Sequence, residues 1–291
     1  MLNLTVQKYL LVLLSFSLFQ GCSETEVPKR ASTVSSNVEV IAQTFTIPVL
    51  NRKRNLRIYL PPDYHTSDKH YSVIYMHDGQ NLFDDVTSYV GEWNVDETLN
   101  KLFVEKGLSI IVIGIDNGQD KRMNELSPWP NSKYGAAEGE HYMEFIVKLV
   151  KPFVDKNYRT LSDQKNTAIM GSSMGGLISH YGIFNYPDTF SKAGIYSPSY
   201  WFSDEVFKFS DAKKLHKNSK LFILVGRKEG PGMVKNVNKM SNQLITNGLN
   251  LEQIKTKVVK GGEHNEKLWS SEFSETIQWL FSEQLKKIIK K

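Results

Sequence analysis

From Val38 onward the chain alternates apolar runs of strand length with stretches of helical period, and this order constrains its architecture more than any other feature. Strands separated by helices pair in parallel through crossovers, which gives a mostly parallel sheet with helices on both faces. Residues 38–47 and 54–60 are expected as two opening strands, the second stopped by Pro61 and Pro62, which cannot donate to a ladder. Ser72–Met76 and Ser109–Ile115 are β-branched and nearly all apolar, as central strands covered on both faces must be. Further strands are expected at 167–170, 193–196, 221–225 and 252–259. Between the central pair, residues 94–106 read as a helix with Asn94 as cap, Glu97 completing a capping box and Gly107 ending it. A second helix covers about 140–156, with Tyr142, Phe145, Ile146, Leu149, Val150 and Phe153 on one face and Pro152 bending it. Helices at about 232–247 and 267–289 complete the alternation.

The first residues follow a different logic. Lys8 precedes the apolar run 9–19, too short to span a bilayer and of the right length for a signal-peptide core. Leu18-Phe19-Gln20-Gly21-Cys22 then resembles a bacterial lipobox, a small residue at the cut site followed by the cysteine that carries the lipid. Cys22 is the only cysteine, so the chain can form no internal disulfide. Residues 1–21 are therefore expected as a lipoprotein signal peptide, Cys22 as the lipid attachment site, 22–36 as a flexible polar tether and 37–291 as one folded domain. The expected location is outside the cytoplasm, anchored to a membrane in the periplasm or at the cell surface. The net charge of +5 comes from 36 basic and 31 acidic residues that are interleaved, so no nucleic-acid surface is indicated. The cluster Lys286, Lys287, Lys290 and Lys291 ends a helical pattern, where cations complement the helix dipole.

After the strand ending at Met170 comes Gly171-Ser172-Ser173-Met174-Gly175-Gly176, followed by the helical stretch 177–184. This resembles the nucleophile elbow of α/β-hydrolases, a strand-to-helix turn so tight that only glycines fit beside a serine raised above the sheet. The central serine of the motif is Ser173. Serine is a poor nucleophile at neutral pH and needs a histidine base, which in turn needs an acid to fix its tautomer and stabilise the imidazolium. In that fold the acid follows a late strand and the histidine the next one. Glu229 follows the strand at 221–225, and His264 follows the strand ending near Val259 and is the only histidine C-terminal to it. Asp204 and Asp211 remain open as alternative acids. Glu263, adjacent to His264, is badly placed to orient it.

The oxyanion of an acyl-transfer intermediate needs two fixed N–H donors. Met174, at the helix start, is one candidate, and Gln80, in the loop after the strand 72–76, is the other. His77 and Asp78 are expected to shape that turn by hydrogen bonds. Tyr200, Trp201 and Phe202 follow a strand's carboxyl end, so Tyr200 and Trp201 serve either as a substrate-binding wall or as packing for the next helix. Trp93, Trp129 and Trp269 are weaker candidates for that wall. The seven histidines show no metal-ligating spacing, there is no phosphate-binding glycine loop, and no cofactor is called for.

The segments 75–83, 171–176, 196–201, 226–229 and 263–265 together resemble one esterase family, which takes in feruloyl and acetyl carbohydrate esterases, siderophore esterases and mycolyltransferases. The likeness covers about residues 38–285. It implies the α/β-hydrolase fold and ester chemistry. In the mycolyltransferases the residue after the Asp-Gly pair donates an oxyanion N–H and the triad acid is a glutamate, which by resemblance supports Gln80 and Glu229. Many other members use aspartate as the acid. The sequence therefore reads as a serine carboxylic ester hydrolase acting through an acyl-enzyme on an acylated carbohydrate or siderophore-type ester. An acyltransferase with the same triad and a catalytically idle binding protein on the same fold are the rival readings.

Overall fold

The alternation is present in the computed structural model, which describes residues 30–289. The expected signal peptide, Cys22 and most of the tether lie outside the described residues. The opening stretch is divided more finely than expected, into β1 (Val38–Val40), β2 (Phe45–Ile47), β3 (Arg52–Arg54) and β4 (Leu56–Tyr59). β2 leaves the main sheet to pair antiparallel with β3. The turn between them follows Pro48, and Val49 and Asn51 adopt positive φ. Arg52 and Arg54 of β3 then reach Glu138 and Glu125, and these ion pairs hold the hairpin away from the sheet.

β5 (Ser72–His77), α1 (Val95–Lys106) and β6 (Ile110–Ile115) follow, then a short helix α2 (Arg122–Glu125), α3 (Gly139–Phe145) and α4 (Lys151–Asn157). Next come β7 (Thr167–Ser172), α5 (Met174–Asn185), β8 (Lys192–Tyr196), α6 (Glu205–Ala212), β9 (Lys220–Gly226), α7 (Pro231–Thr246), β10 (Ile254–Val259), α8 (Glu266–Leu280) and α9 (Ser282–Ile289). The main sheet has eight strands in the order β1-β4-β6-β5-β7-β8-β9-β10, with β1 and β4 antiparallel to their neighbours and the rest parallel.

Side chains alternate across each strand, and both faces are covered, so there are two cores. Tyr75, Ile113, Ile169, Ile195 and Ile223 face the helices α3 to α7, whereas Ile74, Met76, Val112, Met170 and Phe222 face α1 and α8. Burying each such side chain is worth about 1.5–3 kcal/mol, which is why the central strands are apolar throughout. The structure is an α/β-hydrolase fold, as expected.

Four local expectations differ from what is found. Asn94 precedes α1 in a left-handed conformation (φ 51°) with no side-chain cap bond. Its amide is instead engaged by Glu92 and Ser270, so no capping box forms. The helix expected at 140–156 is interrupted by a π-helical turn over Ile146–Val150, ahead of Pro152. The proline ring excludes the carbonyl four residues earlier and offers no N–H, so the ladder widens there rather than bending at the proline itself. The last helix divides at Phe281, which turns into the core. At the other end, Thr33 and Ser35 N–H groups bond to Asp84 and Asp96, so the expected tether is already fastened before its end. No helix among the described residues is long and apolar enough to cross a membrane.

Candidate active site

β5 pairs with β6 on one side and β7 on the other, so the chain moves outward after β5 and then returns across it. At such a reversal the loops leaving neighbouring strands diverge and open a crevice at their carboxyl ends. The crevice here is a cleft of ≈ 450 Å³. Ser173 lies in it between β7 and α5, with φ 57° and ψ −118°, a conformation that costs a non-glycine residue energy and persists only when its surroundings enforce it. They do so here: its N–H bonds to Tyr196 O at 2.9 Å, and its carbonyl accepts from Leu177 and Ser199. A Cβ on Gly171 would meet the Gly175 carbonyl at 2.9 Å, and one on Gly176 would meet Tyr196 O at 2.7 Å. The glycines are therefore a steric requirement of the turn.

β9 ends at Gly226, and a single 3-10 turn, Arg227–Glu229, brings the Glu229 carboxylate back toward the sheet. Its Oε1 accepts from Gly226 N–H at 2.7 Å and from Ser197 Oγ at 2.6 Å, and its Oε2 lies 2.7 Å from His264 Nδ1. The Glu229 side chain is 1% exposed. Of the three acids left open by the sequence, Glu229 is the one that pairs with His264. Asp211 accepts from Asn247, and Asp204 lies at the start of α6. An ionised carboxylate can only accept, so His264 Nδ1 donates to it and the lone pair is left on Nε2, the tautomer a base requires.

Two residues to which the sequence assigned no part beside the acid complete this arrangement. Trp269 Nε1 donates to Ser197 Oγ at 3.0 Å, and Ser197 passes its own proton toward Glu229. The Trp269 ring also meets the His264 ring edge to face at 5.2 Å. Ser199 is the third addition: its Oγ lies 3.2 Å from Ser173 Oγ. For proton transfer the Ser173 hydroxyl must leave Ser199 for His264 Nε2, a tightening that substrate binding commonly brings.

The loop after β5 supplies the other wall. Gly79 must be glycine, since a Cβ would stand 2.7 Å from the Gly114 carbonyl carbon. Gln80 lines the cleft and is fixed at both ends, its side-chain oxygen by Asn117 N–H and its carbonyl by Thr87. Met174 is the first residue of α5, so its N–H has no intrahelical acceptor and stands beside Ser173 at the positive end of the helix. As expected, His77 and Asp78 shape the turn. His77 Nδ1 bonds Tyr142 OH at 2.8 Å, and burial lowers its pKa to about 4, so it is neutral at pH 7. Asp78 is held by Arg122 and Asn117. Burial opposes its ionisation, but Arg122 outweighs it and keeps the carboxyl below its usual range.

The remaining lining is polar, with Asn81, Asn117, Gln119, Arg122 and Glu266, and aromatic, with Tyr89, Trp93 and Trp269. The expected wall of Tyr200 and Trp201 is corrected. Tyr200 is 1% exposed, and its hydroxyl bonds His180 Nδ1 at 2.9 Å inside the core. Trp201 is 49% exposed, packs against Tyr134 and Phe202, and is not among the residues lining the cleft.

The chain resembles known proteins in sequence and in fold. A family model described as "Putative esterase" matches residues 47–280. An uncharacterised Bacillus subtilis protein, YbbA, is 26% identical over 242 residues, covering 78% of this chain and 92% of its own. An endo-1,4-beta-xylanase/feruloyl esterase of Xylanibacter ruminicola is 22% identical over 82% of this chain; the match spans 31% of that longer protein. Among solved structures, the enterobactin esterase FES from Shigella flexneri shares the fold with a TM-score of 0.69 at 17% identity, over 87% of this chain and 62% of that one.

Proposed function

This chain belongs to the Putative esterase family, and on that ground we propose that it is a serine carboxylic ester hydrolase that works through an acyl-enzyme on Ser173. The observation that carries the reading is the 2.7 Å contact between buried Glu229 and His264, at the cleft into which the elbow raises Ser173. Ser173 Oγ attacks the acyl carbon while His264 Nε2 takes its proton, and Glu229 stabilises the imidazolium. The N–H groups of Gln80 and Met174 receive the oxyanion, a contribution of about 3 kcal/mol per donor in such sites. His264 returns the proton to the departing alcohol, and water repeats the sequence to release the acid.

The substrate class we propose is an acylated saccharide or a siderophore-type ester. Amide side chains, Arg122 and indole rings together suit a leaving group that carries many hydroxyls or a catechol. The names of the feruloyl and enterobactin esterase relatives point the same way. Remote contacts raise turnover only when the substrate is large enough to reach them. Acetylated or feruloylated saccharide, or a catecholate ester, should therefore exceed p-nitrophenyl acetate in kcat/KM by roughly tenfold or more. Faster acyl transfer to an added sugar than to water would make the protein an acyltransferase, and no turnover of any ester would leave a binding protein on the same fold.

The proposal extends to location: lipid on Cys22 would tether the domain to a membrane. Support comes from the lipobox-like run Leu18–Cys22. Radiolabelled palmitate should enter the full-length protein in a Gram-negative host and be absent from Cys22→Ala, and label that persists in that variant contradicts the anchor.

A further inference from the structure

At the start of α1, Glu92, Asp96 and Glu97 bring three carboxylates together, with one oxygen of each within 4.8 Å of the others. Acids in a first helical turn are ordinary because they complement the helix dipole, and clustering alone indicates no ligand. The burial of Glu92 and Asp96, with Glu97 half-buried beside them, is what sets the cluster apart. Asp96 is 0% exposed and Glu92 8%. Asp96 Oδ1, Glu92 Oε2 and Glu97 Oε2 are each buried with no hydrogen-bond partner. The charged groups acting on Glu92 are acids, namely Asp84, Asp85 and Asp96, and those acting on Glu97 are Asp96 and Glu92. Ser35 N–H and the Asn94 amide satisfy only the other oxygens of Asp96 and Glu92; buried carboxylate oxygens left without a donor are costly, so three in one place call for either a cation or a proton.

We propose that Glu92, Asp96 and Glu97 form a calcium site. The donors are hard oxygens only, with no nitrogen or sulfur, which selects calcium or magnesium over transition metals. Calcium takes oxygens at roughly 2.3–2.6 Å, so a single ion reaches ligands up to about 5 Å apart across its shell, and the 4.8 Å limit falls within that span. Magnesium demands a near-ideal octahedron and surrenders water reluctantly, which suits three side chains of fixed position less well.

The surroundings give such an ion a task. Ser35 N–H bonds Asp96 Oδ2 at 2.8 Å, and Thr33 bonds Asp84 and Asp85, so the segment entering the domain is fastened at this cluster. Glu92 directly precedes Trp93, which lines the cleft together with Tyr89 and Val90 of the same loop. Calcium would thus clamp the entering segment, α1 and the rim of the cleft to one point. None of this depends on the hydrolytic chemistry of Ser173.

The test uses the full chain, stripped with EGTA and titrated with calcium by calorimetry, with melting followed in calcium and in magnesium. One calcium per chain is expected. The melting temperature should rise by about 5 °C when calcium is about 100-fold above its dissociation constant, and by less in magnesium. Asp96→Asn should abolish binding. If that variant does not fold, Glu97→Gln provides the same test and should weaken binding at least about tenfold. Absence of binding heat and of any melting shift at about 5 mM calcium would overturn the site, since protein modules of this kind bind in the 0.1–1 mM range. Undiminished binding in Glu97→Gln would overturn it equally, leaving Glu97 protonated and sharing its proton with Asp96.

Discussion

Ser173→Ala and His264→Ala should each lower kcat by roughly 10⁴-fold or more, with little change in KM. In the proposed mechanism both residues act in one step, so the double variant should be no worse than either single one. Glu229→Gln should cost less, about 10³-fold, by a different route. Gly226 N–H and Ser197 Oγ hold the side-chain position that Gln would occupy. They would keep its oxygen on their side and present its NH2 to His264 Nδ1, forcing the ring into the tautomer that cannot accept from serine. Steady-state kinetics on one ester across the wild type and the four variants checks this. Additive losses in the double variant, or an unimpaired Ser173→Ala, would contradict a shared step.

The second large effect is on stability. Asp78 is 5% exposed, holds φ 57° and meets Arg122 through both carboxylate oxygens. Asp78→Asn keeps the residue size and tolerance of left-handed backbone but leaves the guanidinium facing a neutral amide. Breaking a buried pair from one side costs about 3–5 kcal/mol, which for a domain of this size lowers the melting temperature by about 10 °C. The pH dependence follows from the sign of the Asp78 shift. Its folded pKa is depressed, so its contribution is fully present above the unfolded carboxylate value and is lost only as pH falls below that value and through the folded one. The wild type and Asp78→Asn should therefore differ throughout pH 5–8 and converge in stronger acid. A difference under about 2 °C at pH 7 would show that the pair holds nothing in place.

Much of this molecule was legible in its sequence, and the parts that were not share a physical cause. Central strands such as 110–115 are apolar on both faces, a pattern set by local composition alone. The opening strands are not legible locally because β2 pairs with β3, a choice supported by Arg52 and Arg54 reaching Glu125 and Glu138, more than 70 residues away. Asn94 has the composition of a cap, but its amide is drawn away by Glu92 and by Ser270 on α8. In the site, the elbow is a local steric motif, and chain order points to Glu229 and His264, which lie 2.7 Å apart. Ser197 and Trp269 carry no such signal, because their roles arise only when β8 and α8 are brought together. Between the two roles open to Tyr200 and Trp201 the sequence cannot choose for a related reason: a position at the carboxyl end of a strand specifies the sheet edge, while the direction of a ring such as Tyr200 is decided by partners such as His180.

The central claim, that Ser173 is the nucleophile, is tested most directly by reaction with a fluorophosphonate followed by fragmentation of the modified peptide. Fragmentation is needed because Ser172 is adjacent in sequence, and Ser199 is hydrogen-bonded to Ser173. The account predicts a single adduct on Ser173 Oγ that is lost in Ser173→Ala and strongly slowed in His264→Ala. An adduct on Ser172 or Ser199, or labelling that survives in Ser173→Ala, would contradict it.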